Sequence, residues 1–373
     1  MKPIKMVDLL GQYQRIKPEI DQAIQQVLTA TEFIQGPPVR QFESALSTFL
    51  DGAHVVTCGN GTDALQIAMM ALDFEPGDEV ILPVHTYVAT AEVIALLRLV
   101  PVFAEVNPDT FTIDPAGIER LITKKTVAIV PVHLYGQCAD MKPILEIASR
   151  HGLKVIEDGA QSLGADYFSD AVRAKGCTLG TIGTTSFFPS KNLGAFGDGG
   201  AMITRDEKLA SRLRMIANHG QQKKYQHDII GVNSRLDTLQ AAILSVKLKY
   251  LSDYATRRNS VASFYDDHLN DSPFVKTPVR ATYSTHVFHQ YTIKVQGVGR
   301  DSLKNYLQEK GIPTMIYYPI PLHLQLAYRR AGFDEGAFPI TETLSRTVLS
   351  LPIHTEMDEE QLSYICETIG RFS

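Results

Sequence analysis

Two segments carry most of the information about how this chain folds: residues 155–162, Val-Ile-Glu-Asp-Gly-Ala-Gln-Ser, and residues 186–194, Ser-Phe-Phe-Pro-Ser-Lys-Asn-Leu-Gly. The first segment closes an apolar run with the acid Asp158, and the second places Lys191 in an aromatic and glycine-rich loop. A lone lysine is most often a solvated surface charge, because long charged side chains are normally exposed. Whether Lys191 is functional therefore has to be judged from the residues around it.

An acid at the end of a buried strand, followed by a lysine in such a loop, is the pair that pyridoxal 5'-phosphate (PLP) chemistry requires. The lysine bonds covalently to the cofactor aldehyde, and the acid keeps the pyridine nitrogen protonated so that the ring accepts electrons. A buried carboxylate is costly unless it meets a positive partner, and a pyridinium is such a partner. We therefore predict that Lys191 and Asp158 are the catalytic pair of a PLP enzyme.

The overall composition is that of a globular protein without unusual charge. The 373 residues are 44% hydrophobic and 21% charged, and the formal net charge is −5. A chain of this length can bury a large core and suggests more than one domain. We expect neither nucleic acid nor an anionic membrane surface as a partner, because the chain has no basic excess to attract them.

The sequence predicts a cytoplasmic protein without a signal peptide, a membrane span or a metal site. Residues 1–5 are not followed by an apolar segment, and the most apolar stretch, residues 91–103, is interrupted by charges and a proline. The four cysteines have no CxxC spacing, which is typical of reduced thiols rather than of a disulfide framework or a zinc site. The eleven histidines include no HExxH pattern.

Short apolar runs alternate with helical patterns in the first half of the chain. The runs are continuous, as expected for strands covered on both faces, and lie at residues 54–58, 79–83, 102–106, 127–132, 153–157, 184–188 and 200–204. Helical patterns at 62–72 and 86–98 separate some of them, and Asp114 with Pro115 is typical of a helix start. This alternation predicts an α/β fold with a mostly parallel central sheet, in which ligands bind beyond the carboxyl ends of the strands.

The pattern changes after Leu236. Residues 237–269 are strongly helical, residues 287–295 alternate like a strand, and helices are predicted at 301–310 and from Asp358. We expect three parts, which are a helical arm with Pro18 near the start of its helix, a large PLP-binding α/β domain and a smaller α+β domain. The predicted ranges are residues 1–35 for the arm, 36–250 for the large domain and 251–373 for the small domain.

The candidate cofactor contacts follow or close the predicted strands. Gly61 and Thr62 join the first strand to a helix, where backbone N–H groups bind phosphate and a glycine permits close approach. Ser186 could add a hydroxyl to the same phosphate, although Thr62 could instead be an ordinary N-cap and Ser186 a strand-end serine. Tyr87 is placed to stack on a planar ring, whereas a lone aromatic residue more often packs in a core. Gln161 could hydrogen-bond the ring hydroxyl.

Five longer segments occur at residues 60–65, 131–137, 157–162, 190–194 and 233–242. Together they resemble the DegT/DnrJ/EryC1/StrS family of nucleotide-sugar aminotransferases, within the fold-type I aspartate aminotransferase superfamily. The resemblance extends over nearly the whole chain. It implies a fold-type I aspartate aminotransferase-like structure, PLP as the cofactor, L-glutamate as the amino donor and a nucleotide-linked keto sugar as the acceptor.

The resemblance also implies a role for each matching residue. Lys191 would bind PLP covalently and shuttle the proton, Asp158 would hold the pyridinium, and Gln161 would contact the ring hydroxyl. Asn233 matches a residue that reaches the cofactor phosphate from the partner subunit, so the expected active unit is a homodimer with shared active sites. The other implied cofactor contacts are Gly61, Thr62 and Ser186 at the phosphate and Tyr87 over the ring.

For the sugar substrate, the motifs are most similar to those of enzymes that aminate the 3-keto position of UDP-2-acetamido-3-keto-glucuronate, in cell-surface polysaccharide or lipopolysaccharide biosynthesis. Tyr317 and Tyr318 are the expected substrate contacts, although many family members have histidine where this chain has Tyr317, which carries no charge. Arg235, close to Asn233, is the candidate for binding the uronate carboxylate. It could instead pair with Asp237 or another acid and serve the fold.

Several other functions compete with this interpretation. Residues 133–141 also resemble dTDP-3-keto-6-deoxyhexose aminotransferases, so that a dTDP-linked 3-keto or 4-keto sugar is the alternative substrate. A dehydratase of the same family typically has histidine in place of Lys191, and a cysteine desulfurase needs a mobile catalytic cysteine that this chain does not suggest. A non-catalytic regulatory member of the family would tolerate loss of Lys191 or Asp158, and both are present.

Overall fold

The structure, a computed structural model, describes residues 2–169, 172–329 and 333–372. Its helices are α1 (Leu9–Arg15), α2 (Lys17–Ala30), α3 (Pro37–Phe49), α4 (Gly61–Ala71), α5 (Ala89–Leu96), α6 (Pro115–Ile118), α7 (Met141–His151), α8 (Glu207–Ala217), α9 (Thr238–Leu248), α10 (Leu251–Leu269), α11 (Arg300–Glu309), α12 (Pro339–Thr347) and α13 (Glu359–Gly370). Its strands are β1 (His54–Cys58), β2 (Glu79–Pro83), β3 (Val100–Ala104), β4 (Thr126–Ile129), β5 (Lys154–Asp158), β6 (Asp166–Ser169), β7 (Val172–Lys175), β8 (Ile182–Ser186), β9 (Gly200–Thr204), β10 (Gln221–Lys223), β11 (Gln226–His227), β12 (Val275–Lys276), β13 (Tyr291–Val295) and β14 (Val348–Leu351). Single 3₁₀ turns lie at Glu119–Leu121, Leu134–Gly136, Leu322–Leu324 and Leu326–Tyr328.

A seven-stranded sheet forms the centre of the fold, in the order β1-β9-β8-β5-β4-β2-β3. Strand β9 runs antiparallel to both of its neighbours, and the other neighbouring pairs are parallel. The predicted α/β fold with a mostly parallel sheet is therefore confirmed. Because the parallel strands share one direction, the segments that follow β2, β5 and β8 meet at one edge of the sheet.

Apolar side chains cover both faces of this sheet. Val80 and Leu82 of β2 pack with α4, α5 and α8, whereas Ile81 between them packs with α7. Successive residues of a strand point to opposite faces, so β2 is buried on both sides. This double burial explains why the predicted strands were continuous apolar runs rather than alternating ones.

The predicted boundaries agree with the structure to different degrees. The predictions at 54–58, 79–83 and 200–204 match β1, β2 and β9, and Asp114 caps α6 as expected. Strands β3 and β8 each begin and end two residues earlier than predicted. At the end of β8 the chain leaves the sheet because the Phe187 carbonyl accepts a hydrogen bond from Ala195 of the following loop, at 2.7 Å. The β6–β7 hairpin was not predicted.

In the last third of the chain, two predictions were wrong in detail. The helical stretch at 237–269 is two helices, α9 and α10, separated at Lys249 and Tyr250. The predicted strand at 287–295 begins only at Tyr291, because Val287 and Gln290 donate their backbone N–H groups to the loop at 135–136 instead of to a strand. The remaining residues, β13, pair with β12 and β14 in a small antiparallel sheet.

The two sheets occupy different parts of the chain, between residues 54 and 204 and between residues 275 and 351. Helices α10, α11 and α13 share an apolar core with the small sheet. This arrangement supports a boundary near residue 250, which we propose as the division between a larger and a smaller domain. At the N-terminus, Pro18 lies in the first turn of α2 as predicted, and Ile20 of that helix packs against Ile243 of α9. The proposed helical arm therefore rests on the larger part of the chain.

Candidate active site

A cavity of about 490 Å³ lies at the carboxyl ends of β2, β5 and β8. Most of the residues predicted to bind a cofactor or a substrate line it together, although they are far apart in the chain. These are Gly61, Thr62, Tyr87, Asp158, Gln161, Ser186, Lys191, Tyr317 and Tyr318. The volume is within the range of about 300–1,000 Å³ that is typical of small-molecule sites.

At one end of the cavity the backbone is arranged to hold an anion. Helix α4 begins at Gly61, and the side chain of Asn60 caps it by accepting the N–H of Asp63 at 2.8 Å. Thr62 is therefore not the N-cap, which corrects the structural alternative considered for it. A Cβ atom on Gly61 would lie 2.7 Å from the Cβ of Ser186, so only glycine lets the helix start approach β8 this closely. Helix N-termini attract phosphate.

Asp158 closes β5 and is buried, with only 6% of its surface exposed. One carboxylate oxygen accepts the hydroxyl of Thr90 at 2.7 Å, and the other accepts the backbone N–H of Ala160 at 3.1 Å. These bonds hold the carboxylate in one orientation against the cavity. No ion pair joins Asp158 to another described residue, so its negative charge is available to a cationic group of a ligand.

Lys191 reaches the same cavity from the loop after β8. Its backbone N–H donates to the carbonyl of Phe188 at 2.8 Å, which fixes the turn that carries the side chain. Burial lowers the pKa of Lys191 to about 8, because desolvation disfavours the charged amine more than the negative charge of Asp158 favours it. An amine with this pKa can accept a proton near neutral pH.

Aromatic and amide groups form the wall between these two residues and the solvent. The amide oxygen of Gln161 accepts the backbone N–H of Tyr135 at 2.7 Å, and its nitrogen donates to the hydroxyl of Tyr318 at 3.2 Å. The ring of Tyr87 is 56% exposed, and its centroid lies 6.0 Å from that of Tyr318. Tyr87 is thus not a core residue, and its exposed ring can cover a planar ligand.

These residues fit PLP. The helix start at Gly61, the amine of Lys191 and the carboxylate of Asp158 could hold the phosphate, the aldehyde and the pyridine nitrogen of this cofactor, respectively. Two further buried atoms at the cavity, the hydroxyl of Thr86 and Nδ1 of His289, have no hydrogen-bond partner among the described residues. Buried polar groups are rarely left without a partner, so these two atoms can form hydrogen bonds to a ligand in the cavity.

The sequence of the chain matches the model of a known protein family. The model of the DegT/DnrJ/EryC1/StrS aminotransferase family matches residues 14–370. The chain belongs to this family. As a member of the DegT/DnrJ/EryC1/StrS family it is an aminotransferase, and the predicted resemblance is confirmed.

Three relatives show the range of names within the family. A UDP-2-acetamido-2-deoxy-3-oxo-D-glucuronate aminotransferase of Pseudomonas aeruginosa is 45% identical and covers 98% of this chain and 99% of its own. A pleiotropic regulatory protein of Geobacillus stearothermophilus is 47% identical, over 99% of this chain and 98% of its own. A dTDP-3-amino-3,4,6-trideoxy-alpha-D-glucose transaminase of Streptomyces venezuelae is 39% identical, over 99% and 96%.

Solved structures of the DegT/DnrJ/EryC1/StrS family have the same fold. DesV of S. venezuelae, solved with a ketimine intermediate, superimposes with a TM-score of 0.95 at 39% identity, over 100% of both chains. The ntda protein of Bacillus subtilis, solved with bound cofactor PMP, superimposes with a TM-score of 0.86 at 35% identity, over 95% of this chain and 81% of its own. The predicted fold class is therefore confirmed by the fold of these relatives as well.

Two predicted site residues do not reach the cavity of their own chain. Asn233 is exposed, and its backbone pairs with Asn218. Arg235 lines a different cavity of about 360 Å³, together with Arg40 and Arg214. Arg235 forms no ion pair with any residue in the described ranges, so the alternative in which it pairs with Asp237 is wrong. A single chain thus does not bring Asn233 and Arg235 to Lys191.

Several residues of the site escaped the sequence analysis. Thr90 lies three residues after Tyr87 in the first turn of α5, a spacing that could have placed it near the strand ends. His289 and Gln290 line the cavity because the segment that was predicted as a strand bends toward it. Nothing in the local sequence signals that bend, since it depends on hydrogen bonds to residues 135 and 136.

The part of the chain that the structure describes contains no group of three or more His, Cys, Asp or Glu side chains that could hold a metal ion. Among the same residues, no helix has both the length and the apolar character needed to cross a membrane. The four cysteines are buried free thiols.

Proposed function

We propose that this chain transfers the amino group of L-glutamate to the 3-keto position of a UDP-linked N-acetylated glucuronate, with PLP as the cofactor. The observation that carries the proposal is the shared cavity of Lys191 and Asp158 beside an anion-binding helix start. The reaction yields 2-oxoglutarate and an amino sugar, which a cytoplasmic route to cell-surface polysaccharide or lipopolysaccharide would use. The four buried free thiols are compatible with a reducing compartment.

The residues of the cavity divide the chemistry between them. PLP, when bound, supplies an aldehyde and a ring that accepts electrons. Gly61, Thr62 and Ser186 would bind its phosphate, and Asp158 would keep the ring nitrogen protonated. Lys191 would accept the Cα proton of glutamate, for which a pKa near 8 is suited, and in the second half-reaction would deliver a proton to the sugar carbon that receives the amino group. Tyr87 covers the ring and excludes water, and Gln161 binds the ring oxygen.

The 3-keto position is supported by relatives whose nucleotides differ. The P. aeruginosa relative is named for a 3-oxo sugar linked to UDP, and the S. venezuelae relative is named for a 3-amino sugar linked to dTDP. Both are full-length matches, so the amino position is common to them although the nucleotide is not. The uronate is the finer part of the proposal, and a dTDP-linked deoxyhexose is the alternative acceptor.

The active unit that we propose is a homodimer. Asn233 is exposed on the chain outside its own cavity, in a segment that also carries Tyr225 and Ile230, which are 81% and 86% exposed. Large apolar side chains with this exposure commonly lie at protein interfaces. In the proposed dimer, Asn233 contacts the cofactor phosphate of the partner, and Arg235 contacts the uronate carboxylate there.

The proposed reaction can be tested by a substrate screen. The purified protein would be incubated with L-glutamate and 3-keto or 4-keto sugars linked to UDP or dTDP, and the release of 2-oxoglutarate would be followed. We expect the highest kcat/KM on the UDP-linked 3-keto uronate. Turnover of 4-keto sugars alone would overturn the substrate assignment but not the aminotransferase activity.

The shared site can be tested by complementation. Inactive Lys191→Ala chains would be mixed with Asn233→Ala chains under conditions of verified subunit exchange. Each mixed dimer should regain one intact site, because the Lys191→Ala chain supplies Asn233 to the cavity that still has Lys191. Absence of any recovered activity would contradict a site shared between subunits.

Arg235 has its own test, with the substrate as the internal control. Arg235→Ala should lower kcat/KM on the 3-keto uronate more than on the uncharged hexose analogue. The extra loss should correspond to about 1.5–3 kcal/mol of transition-state stabilisation, as expected for hydrogen bonds to a charged group. Equal losses on both substrates would remove Arg235 from the carboxylate site.

A regulatory function is the second candidate, because the G. stearothermophilus relative is named as a regulatory protein. A purely regulatory protein needs neither Lys191 nor Asp158, yet both are present and both line the cavity. The substrate screen separates the two functions, since a non-catalytic protein would release no 2-oxoglutarate with any acceptor.

A further inference from the structure

One buried tyrosine outside the cavity contacts three separate parts of its wall. Tyr135 has 2% of its surface exposed and does not line the cavity. Its backbone is left-handed, with φ 58° and ψ −2°, a conformation that costs a bulky residue about 1–3 kcal/mol. Such a conformation persists only where the surrounding contacts enforce it, so the contacts of Tyr135 must be strong enough to offset this cost.

Every polar group of Tyr135 is used in these contacts. Its backbone N–H donates to the amide oxygen of Gln161 at 2.7 Å, and its carbonyl accepts the backbone N–H of Gln290 at 3.1 Å. Its hydroxyl donates to the carbonyl of Tyr317. Gln161, Gln290 and Tyr317 all line the cavity, and they come from three different segments of the chain.

The directions of these hydrogen bonds determine what the wall presents to a ligand. A backbone N–H can only donate, so the oxygen of Gln161 must face Tyr135 and its NH₂ group must face Tyr318, at 3.2 Å, and the cavity. The carbonyl of Tyr317 can only accept, so the hydroxyl proton of Tyr135 is used there. His85 Nε2, 3.1 Å from the same hydroxyl oxygen, must therefore be the donor.

Both side chains keep these roles across the pH range of an enzyme assay. Burial lowers the pKa of His85 to about 4, so its ring is neutral and carries one proton. Burial also raises the pKa of the Tyr135 hydroxyl well above its usual value, so that it remains a donor. The bonds from His85 to Tyr135 and from Tyr135 to Tyr317 therefore form a fixed chain.

The backbone around Tyr135 is held just as closely. Gly136 has φ 115°, and a Cβ atom there would lie 2.8 Å from the backbone nitrogen of His289 and 2.9 Å from that of Phe288. Val287 also donates its N–H to the carbonyl of Gly136 at 2.8 Å. The loop at 135–136 thus packs in direct contact with the segment that places His289 and Gln290 at the cavity.

We propose that Tyr135 is a positioning residue for the sugar substrate, because it holds the Tyr317–Tyr318 segment and the amide of Gln161 in one arrangement without touching the ligand itself. The proposal rests on the aminotransferase function proposed above. It predicts that the hydroxyl of Tyr135 affects substrate binding more than it affects the chemical step.

The test compares two Tyr→Phe variants. Tyr135→Phe removes only the hydroxyl and leaves the backbone bonds to Gln161 and Gln290. Tyr265→Phe is the matched control, because Tyr265 is also buried and donates its hydroxyl to a backbone carbonyl, that of Pro352 at 2.9 Å, in the core of the small sheet. We expect Tyr135→Phe to raise KM for the keto sugar about three- to tenfold, with kcat and cofactor affinity changed less than about twofold. The control should leave KM unchanged.

Amide hydrogen exchange supplies a readout that does not depend on turnover. In Tyr135→Phe, the peptide spanning residues 313–320 should exchange faster, whereas the peptide spanning residues 286–291 should keep its protection. An unchanged exchange rate at 313–320, or an unchanged KM in an active enzyme, would overturn the proposal. If the wild-type protein turns over no keto sugar, the proposed function fails, and the exchange comparison still decides whether Tyr135 holds this segment.

Discussion

Two buried lysines, Lys191 and Lys247, show how little a lowered pKa says by itself. Burial lowers the pKa of both to about 8. Lys247 lies buried in the last turn of α9, donates to the carbonyl of Gly194 at 2.5 Å and sits over the ring of Phe196. Lys191 instead faces a cavity that also contains the carboxylate of Asp158.

The difference between them lies in the surroundings of the amine. The amine of Lys247 donates to the loop that follows Lys191, and the guanidinium of Arg258 repels its charge. Lys191 shares with the acid Asp158 a cavity large enough for a ligand. A lysine is thus a catalytic candidate when desolvation, an opposing acid and an accessible cavity occur together.

The largest expected effect is the loss of activity in Lys191→Ala. Turnover should fall about 10³-fold or more, because general acid–base catalysis alone contributes about 10²–10⁴-fold. Lys247→Met should keep turnover within about tenfold. After borohydride treatment of the wild-type protein, mass spectrometry should find the cofactor on the peptide with Lys191. Cofactor found on the peptide with Lys247 instead would show that Lys247, and not Lys191, binds the cofactor covalently.

A smaller effect is expected when Asp158, the acid at the cavity of Lys191, is replaced. Asp158→Asn should lower kcat about 10- to 100-fold, since a neutral amide cannot keep the pyridine nitrogen protonated. Gln161→Ala should cost only about two- to tenfold, because it removes a neutral hydrogen bond to the ring. Steady-state kinetics of both variants would decide, and losses of equal size would show that the two roles are misassigned.

Lys247 should be visible in the pH dependence of stability. Its pKa is about 8 in the folded protein and about 10.5 in the unfolded chain, so the unfolded state binds more protons between these values. Stability should therefore rise with pH across this window, by about 2–3 kcal/mol relative to Lys247→Met. Urea denaturation of both proteins at pH 7.5 and pH 10 measures this difference. Parallel curves for the two proteins would mean that folded Lys247 keeps its proton across this window, so that burial does not lower its pKa.

The smallest effect is expected for Thr90→Val, which removes the hydroxyl that donates to Asp158 at 2.7 Å. The loss of one donor should lower kcat/KM about three- to tenfold, because Asp158 is then held less firmly. Thr90→Ser keeps the hydroxyl and should restore most of the activity. If Thr90→Ser is as impaired as Thr90→Val, the methyl group and not the hydroxyl is what matters.

Much of the central fold could be predicted because its signals are local. The strands β1, β2 and β9 are continuous apolar runs, and a strand buried on both faces needs no information from distant residues to be recognised. The segment at 287–290 could not be predicted in the same way. Its alternating pattern favours a strand, but hydrogen bonds to Tyr135 and Gly136 keep it out of the small sheet. Contacts between residues so far apart leave no trace in a local pattern.

The sequence by itself determined which groups are available for chemistry: an acid at the end of one strand, a lysine in a loop after another, and a glycine at a helix start. The tertiary structure decided which of them meet. It placed Lys191, Asp158 and Gly61 at one cavity, buried Lys247 in the last turn of α9, and left Asn233 and Arg235 outside the cavity of their own chain. The physical reason is that residue type sets what a group can do, whereas burial and hydrogen-bond partners are set by packing between distant segments. Tyr135 shows this most clearly, because nothing near it in the sequence indicates that it contacts three separate parts of the cavity wall in the folded chain.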